Sequence, residues 1–172
     1  MGCTATTGFV SSVRGVGFGF FPIWDDLQAP CTTNGARMSW NTSTAYNQGV
    51  TSAQNAQAAM NRFGFASYDD VWLDIEGYDS PNSSCRAAVL AYVDGWDAVL
   101  GPALDAGVYG SADNIDAYAT LAHVSSAVDV AAWDTCLNSA WNLPDVPNSH
   151  WVYDQRIHQY RGRVVECLPF GS

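Results

Sequence analysis

The sequence predicts an α/β fold in which short parallel strands alternate with helices. Five short apolar or aromatic segments end in polar or glycine-rich residues, as buried strands do: 17–24, 71–76, 106–110, 128–133 and 156–160. The segments between them have helical spacing. Buried strands that alternate with helices form a parallel sheet, which is either doubly wound or closed as a barrel. No GxGxxG motif follows a strand, so a dinucleotide-binding fold has no support.

Four helices are expected, at residues 9–16, 42–63, 83–100 and 113–122. The second is rich in Ala and Gln, with candidate N-caps at Asn41, Thr42 and Ser43 and a C-terminal stop at Gly64. The third ends before Gly101-Pro102. Residues 136–150 are rich in Pro and Asn, which predicts a long loop before the last strand.

Composition limits the class of protein. The 172 residues are 48% hydrophobic and 14% charged, typical of one globular domain. No apolar run reaches the roughly 18 residues of a membrane span, and no charged-then-apolar pattern of a signal peptide is visible after Met1. Seven basic against 17 acidic residues give a net charge of −10, which disfavours nucleic acid as a partner. The absence of lysine excludes Schiff-base chemistry.

Five cysteines are dispersed along the chain, at positions 3, 31, 85, 136 and 167. Neither they nor the three scattered histidines have zinc-site spacing, and no metal or cofactor is expected. Dispersed cysteines without lysine favour a secreted, extracellular protein with some disulfides; buried free thiols are the alternative. Cys3 precedes and Cys31 follows the first strand unit, so we expect them to lie in loops on one face and to pair.

The sharpest chemical signal is the pair Asp74 and Glu76 in the segment VWLDIE. Because strand side chains alternate between faces, both carboxylates point to one face, opposite Leu73 and Ile75. Repulsion between them raises one pKa, and the resulting acid and anion are what glycoside hydrolysis needs. The alternatives are helix capping, pairing with arginines, or a metal site, for which no third ligand is evident.

Aromatic residues end the other strands, beside polar side chains. Sugar rings stack on aromatic faces while their hydroxyls bond to carboxylates and amides, so this placement predicts a carbohydrate cleft. Each aromatic residue taken alone is more typical of a core. His158 is expected to pack or form a hydrogen bond, with Gln159 on the opposite face. The candidate cleft residues are Trp24, Asp25, Tyr109, Trp133, Asp134, Gln159 and Tyr160.

From about Phe9 to Gly162 the chain resembles the secreted bacterial glycoside-hydrolase-like domains of unknown function, related in fold to the family-25 muramidases. The matching segments include GFGFFPIWDDLQAPC, VWLDIEGYD, AGVYGS, VAAWD and RIHQYRG. The resemblance implies a TIM-type barrel, a site at the strand C-termini, and polysaccharide or peptidoglycan as the ligand of a monomer. It also implies that Glu76 is the general acid and Asp74 its carboxylate partner, with Tyr109, Trp133 and Gln159 lining the cleft.

The chain departs from that family at both ends. The family begins with a strand that carries a G-F-D aspartate and ends with a strand that carries a late aspartate, and neither is found here. We therefore expect a single domain over 1–172 that is a fragment, a partial barrel lacking about three strands of the ~250-residue whole. Because the family's cysteine beside the first-strand aspartate is absent, Cys85 is expected to be unpaired. A non-catalytic carbohydrate- or envelope-binding barrel and an inactive truncated fragment are the alternative functions.

Overall fold

The computed structural model describes residues 6–65, 70–101, 106–133, 139–143, 145–152 and 155–161. The chain is α/β, as predicted. Its elements, in order, are α1 (Thr7–Gly15), β1 (Ile23–Asp25), α2 (Thr42–Phe63), β2 (Val71–Asp74), α3 (Ser83–Leu100), β3 (Ala106–Ser111), α4 (Ala112–Ile115), a 3₁₀ helix (Asp116–Thr120), β4 (Ala127–Ala131) and β5 (Arg156–Gln159).

The strands form one sheet in the order β1-β2-β3-β4-β5, and every neighbouring pair is parallel. The predicted parallel sheet is therefore confirmed. In the described part of the chain β1 and β5 are the two edge strands, so the barrel stays a prediction. None of the helices described is long and apolar enough to cross a membrane.

The first strand is shorter than the predicted segment 17–24, because only Ile23–Asp25 pairs in the sheet. Gly17, the first residue of the predicted segment, has a φ of +89° and is not extended. Phe20 instead packs edge-on against Phe65, with ring centroids 5.5 Å apart. Phe21 stacks on Trp72 of β2 with ring centroids 4.5 Å apart, so the aromatic residues of this segment pack on different neighbours without pairing as a long strand.

The predicted helix 113–122 is replaced by α4 and the 3₁₀ helix that follows it. Ile115 and Tyr118, three residues apart, are both fully buried. Ile115 ends α4 and Tyr118 lies in the 3₁₀ helix, so the junction between the two places both side chains in the core.

Helices α2 and α3 have the predicted bounds and pack closely on one face of the sheet. A Cβ added at Gly49 would lie 2.0 Å from the Tyr92 carbonyl oxygen, and one at Gly95 would lie 2.2 Å from the Tyr46 carbonyl oxygen. These two positions therefore require glycine for the helix backbones to approach. Asn41 is the N-cap of α2, accepting from the Thr44 N–H at 3.0 Å.

The expected cysteine pairing is wrong. Cys31 is bonded to Cys85, with Cα atoms 5.8 Å apart. Cys31 lies in the loop after β1, and Cys85 lies in the first turn of α3, which follows β2. Because β1 and β2 are neighbours in the sheet, the segments that leave their C-terminal ends meet. Cys3, the predicted partner of Cys31, lies outside the described residues.

Candidate functional site

The two faces of β2 have opposite chemistry. Leu73 and Ile75 are buried in the core with α2 and α3, with exposures of 0% and 1%. Strand alternation directs Asp74 and Glu76 to the other face. Asp74 is half-buried and Glu76 is exposed, so the two carboxylates lie at different depths on the sheet face that the helices leave uncovered.

The strand register brings further polar residues into line with Asp74. Asp25 on β1 is paired with Asp74, Asp74 with Tyr109 on β3, and Tyr109 with Asp129 on β4. Paired residues on parallel strands share a face. Three carboxylates and one phenol thus form a row across four strands. Asp74 in this row precedes Glu76 by two residues.

The floor beneath this row is apolar. Trp72, two residues before Asp74, is 3% exposed and stacks on Phe21 with ring centroids 4.5 Å apart. Its ring covers Gly107, where an added Cβ would lie 2.4 Å from it. Glycine at 107 therefore makes room for the Trp72 indole on the face that carries Asp74.

This environment raises the pKa of Asp74 to about 6. The first cause is burial, followed by the negative charges of Glu76 and then Asp25. The buried Asp74 Oδ1 has no hydrogen-bond partner among the described residues. Burial and repulsion both disfavour the carboxylate form, so Asp74 holds a proton to higher pH than an ordinary aspartate.

Glu76 lines a cavity of about 390 Å³ at the C-terminal edge of the sheet. Its other lining residues are Gly77, Tyr109, Ser111, Ala131 and Trp133. Trp133 is 68% exposed, so most of its indole is open to solvent. A carboxylate, two aromatic rings and a hydroxyl thus border one space.

Gln159 forms hydrogen bonds with both aromatic residues that line this cavity. Its Oε1 accepts from the Tyr109 hydroxyl at 2.9 Å and from the Trp133 Nε1–H at 3.4 Å. Burial and the negative charges of Glu76, Asp74 and Asp129 raise the pKa of Tyr109, so its hydroxyl stays a hydrogen-bond donor. The structure therefore brings Asp25, Asp74, Glu76, Tyr109, Trp133 and Gln159 to one face.

Two predicted cleft residues do not border this cavity. Trp24 pairs with the buried Leu73 and donates from Nε1 to the Ser52 hydroxyl of α2 at 3.0 Å, so it faces the helices. Tyr160 packs edge-on against His158, and its place in a carbohydrate cleft stays a prediction. The hydrogen bond expected of His158 is present, since its Nε2 lies 2.8 Å from the Ala132 carbonyl oxygen. Asp134 lies outside the described residues.

Asp129 is a site-face residue that the sequence interpretation missed. Burial raises its pKa, which His158 opposes, and its Oδ1 has no hydrogen-bond partner in the described chain. The sequence feature that indicates Asp129 is a single carboxylate between Val128 and Val130 in an apolar strand. The same argument from alternation that selected Asp74 and Glu76 applies to it.

Gln28 was also missed. It is 4% exposed, and its side-chain amide bonds to the backbone of both Asp74 and Glu76. No pattern marks it in the segment DDLQAPC, because its role depends on the loop that follows β1. Among the described residues, no group of three or more His, Cys, Asp and Glu side chains is arranged to hold a metal ion.

Comparison with protein families matches residues 1–167 to the Rv2525c-like, glycoside hydrolase-like domain. The chain belongs to this family. Searches of curated proteins and of solved structures find no significant match. The family membership of this glycoside hydrolase-like domain agrees with the predicted resemblance, and it makes a carbohydrate the class of partner to consider first.

Proposed function

We propose that this glycoside hydrolase-like domain cleaves cell-wall or another polysaccharide, with Glu76 as general acid and Asp74 as its carboxylate partner. The observation that carries the proposal is the position of Glu76 in a cavity bordered by Tyr109 and Trp133. A sugar ring stacked on Trp133 would bring a glycosidic oxygen towards Glu76. The disulfide is typical of oxidising compartments and supports an extracellular location.

The roles of the two carboxyls follow from their depth. A general acid must come within hydrogen-bond reach of the leaving oxygen, so position is considered before pKa. Glu76 lines the cavity and Asp74 lies deeper, against the apolar floor. Above the pKa of Asp74, its carboxylate supplies negative charge near the positive charge that develops on the sugar in the transition state.

The test is turnover of peptidoglycan and of soluble glycans by the wild-type chain and by Glu76→Gln. The amide keeps the shape of the side chain but has no acidic proton, so turnover should fall by roughly 10²- to 10⁴-fold while glycan binding is retained. Asp74→Asn should also slow turnover. Asp79→Asn is the matched control, since it changes an exposed carboxyl three residues further along the same loop, outside this cavity.

Two results would count against the proposal. Equal turnover by Glu76→Gln and the wild type would remove Glu76 from the mechanism. Glycan binding without turnover by the wild-type chain would favour the alternative, a carbohydrate-binding domain that uses the same aromatic cavity.

A further inference from the structure

We propose that Gln28 is a positioning residue that holds the end of β2 in the geometry from which Glu76 enters the cavity. This inference rests on the proposed function, in which Glu76 is the general acid. Gln28 Nε2 donates to the Asp74 carbonyl oxygen at 3.0 Å, and its Oε1 accepts from the Glu76 N–H at 2.9 Å. One buried amide therefore satisfies the backbone groups on both sides of Ile75.

This pattern reproduces a parallel strand. In a parallel ladder, a residue donates its N–H to the carbonyl oxygen of the residue that precedes its paired residue. Its own carbonyl oxygen accepts from the N–H of the residue that follows that paired residue. The Gln28 amide makes these two bonds across Ile75 on the β1 side. On the β3 side, the Ile75 N–H donates to the Tyr109 carbonyl oxygen at 3.2 Å. The Gln28 side chain thus extends the pairing of β2 past Asp25, where β1 ends.

Gln28 is itself held by the loop that carries it. Its N–H donates to the Ala36 carbonyl oxygen at 2.8 Å, and its own carbonyl accepts from the Met38 N–H at 2.9 Å. The Cys31–Cys85 disulfide ties the same loop to α3. The side-chain amide is therefore fixed relative to both its loop and the sheet.

Loss of the amide would leave the Asp74 carbonyl oxygen and the Glu76 N–H without this partner, and the chain at Ile75 and Glu76 would be free to relax. A shift of about 1 Å in a catalytic group can cost up to about 10²-fold in rate. Such a shift moves the Glu76 carboxyl relative to the bond to be cleaved and leaves the Trp133 stacking surface in place. The expected effect is on kcat and not on KM.

The test compares Gln28→Met with Gln48→Met. Gln28→Met removes both bonds at similar side-chain length, together with the longer contact of Nε2 with Asp25 Oδ1 at 3.5 Å. Gln48 is a matched control because its Oε1 accepts from a backbone N–H, that of Ser39 at 2.8 Å, away from β2. The measurements are amide hydrogen exchange at Glu76, NMR titration of the Asp74 carboxyl, and kcat and KM on the glycan that the wild type cleaves.

Gln28→Met should accelerate exchange at the Glu76 amide at least tenfold, shift the Asp74 titration, and lower kcat roughly 10- to 100-fold with KM little changed. Gln48→Met should do none of these. Gln28→Glu keeps the acceptor for the Glu76 N–H, so it should protect that amide more than Gln28→Met does, and it serves as the second variant if Gln28→Met does not fold.

Unchanged Glu76 exchange and Asp74 titration in a folded Gln28 variant would overturn the inference. So would faster exchange spread equally over α3 and β3, which would mean a loss of global stability only. If the wild-type chain cleaves no glycan, the proposed function fails. The exchange and titration results still decide whether Gln28 positions the end of β2.

Discussion

Tyr109 donates its phenolic hydrogen to Gln159 across an intervening strand. The two residues lie on β3 and β5, with β4 between them, and their oxygens are 2.9 Å apart. Gln159 is in register with Ala131 of β4, whose small side chain leaves the path open. The same open path is part of the cavity that contains Glu76.

Ala131→Leu should therefore block the cavity. The larger side chain would occupy the space between Tyr109 and Gln159, so glycan binding measured by calorimetry should fall at least tenfold. Ala131→Gly keeps the space open and is the control; it should retain binding while losing roughly 0.5–1 kcal/mol of folding stability, the usual cost of glycine in a strand. Equal binding by the Leu variant would show that ligands do not use this cavity.

Trp133→Ala should weaken binding without unfolding the protein. Most of the indole is exposed, so its removal takes little from the core, whereas the loss of an anchoring aromatic face should raise Kd about tenfold. Trp133→Phe keeps a ring face but loses the Nε1–H donated to Gln159, and it should retain most of the affinity. Titration of both variants with the same glycan checks this, and a Phe variant as weak as the Ala variant would assign the effect to the hydrogen bond.

The raised pKa of Asp74 makes folding stability depend on pH. The folded state holds this proton up to a pH of about 6, whereas the unfolded chain loses it near 3.8. The folded state therefore binds more protons between these values, and stability must fall as pH rises through that window. Asp74→Asn removes this pH-dependent contribution to the free energy of folding.

We expect Asp74→Asn to match the wild type near pH 4 and to exceed it above pH 6 by about 1 kcal/mol, since the half-buried carboxyl is partly screened by solvent. Urea unfolding across this pH range gives the difference curve. Asp97 and Asp129, whose pKa values burial also raises, are present in both proteins, so the difference isolates Asp74. A difference that is flat with pH would contradict the assignment.

The Cys31–Cys85 bond should contribute several kcal/mol of folding free energy. It links residues 54 apart in sequence, for which the loss of chain entropy in the unfolded state corresponds to about 4 kcal/mol. Cys31→Ser with Cys85→Ser should lower the free energy of unfolding by up to that amount. Peptide mapping without reduction should recover the two cysteines in one linked peptide, and recovery of a Cys3–Cys31 peptide would contradict the pairing.

The sequence alone was sufficient to predict the parallel α/β class, the bounds of α2 and α3, and the shared face of Asp74 and Glu76. These features depend on local periodicity, which a strand or helix expresses without reference to distant residues. The placement of Gln159 opposite His158 followed from the same alternation. The true extent of β1 did not, because Phe20 and Phe21 pack their rings on Phe65 and Trp72 without the segment pairing in the sheet.

Tertiary structure decided what depends on residues far apart in the chain. The partner of the Trp24 Nε1–H is the Ser52 hydroxyl because α2 packs on that face of β1. Cys31 meets Cys85 because β1 and β2 are neighbours in the sheet. Gln28 reaches the backbone of Asp74 and Glu76 only after its loop has folded back beside β2. Periodicity along the chain determines the face of the sheet on which a side chain lies, whereas its partner on that face depends on strand order, register and loop path, which no local pattern encodes.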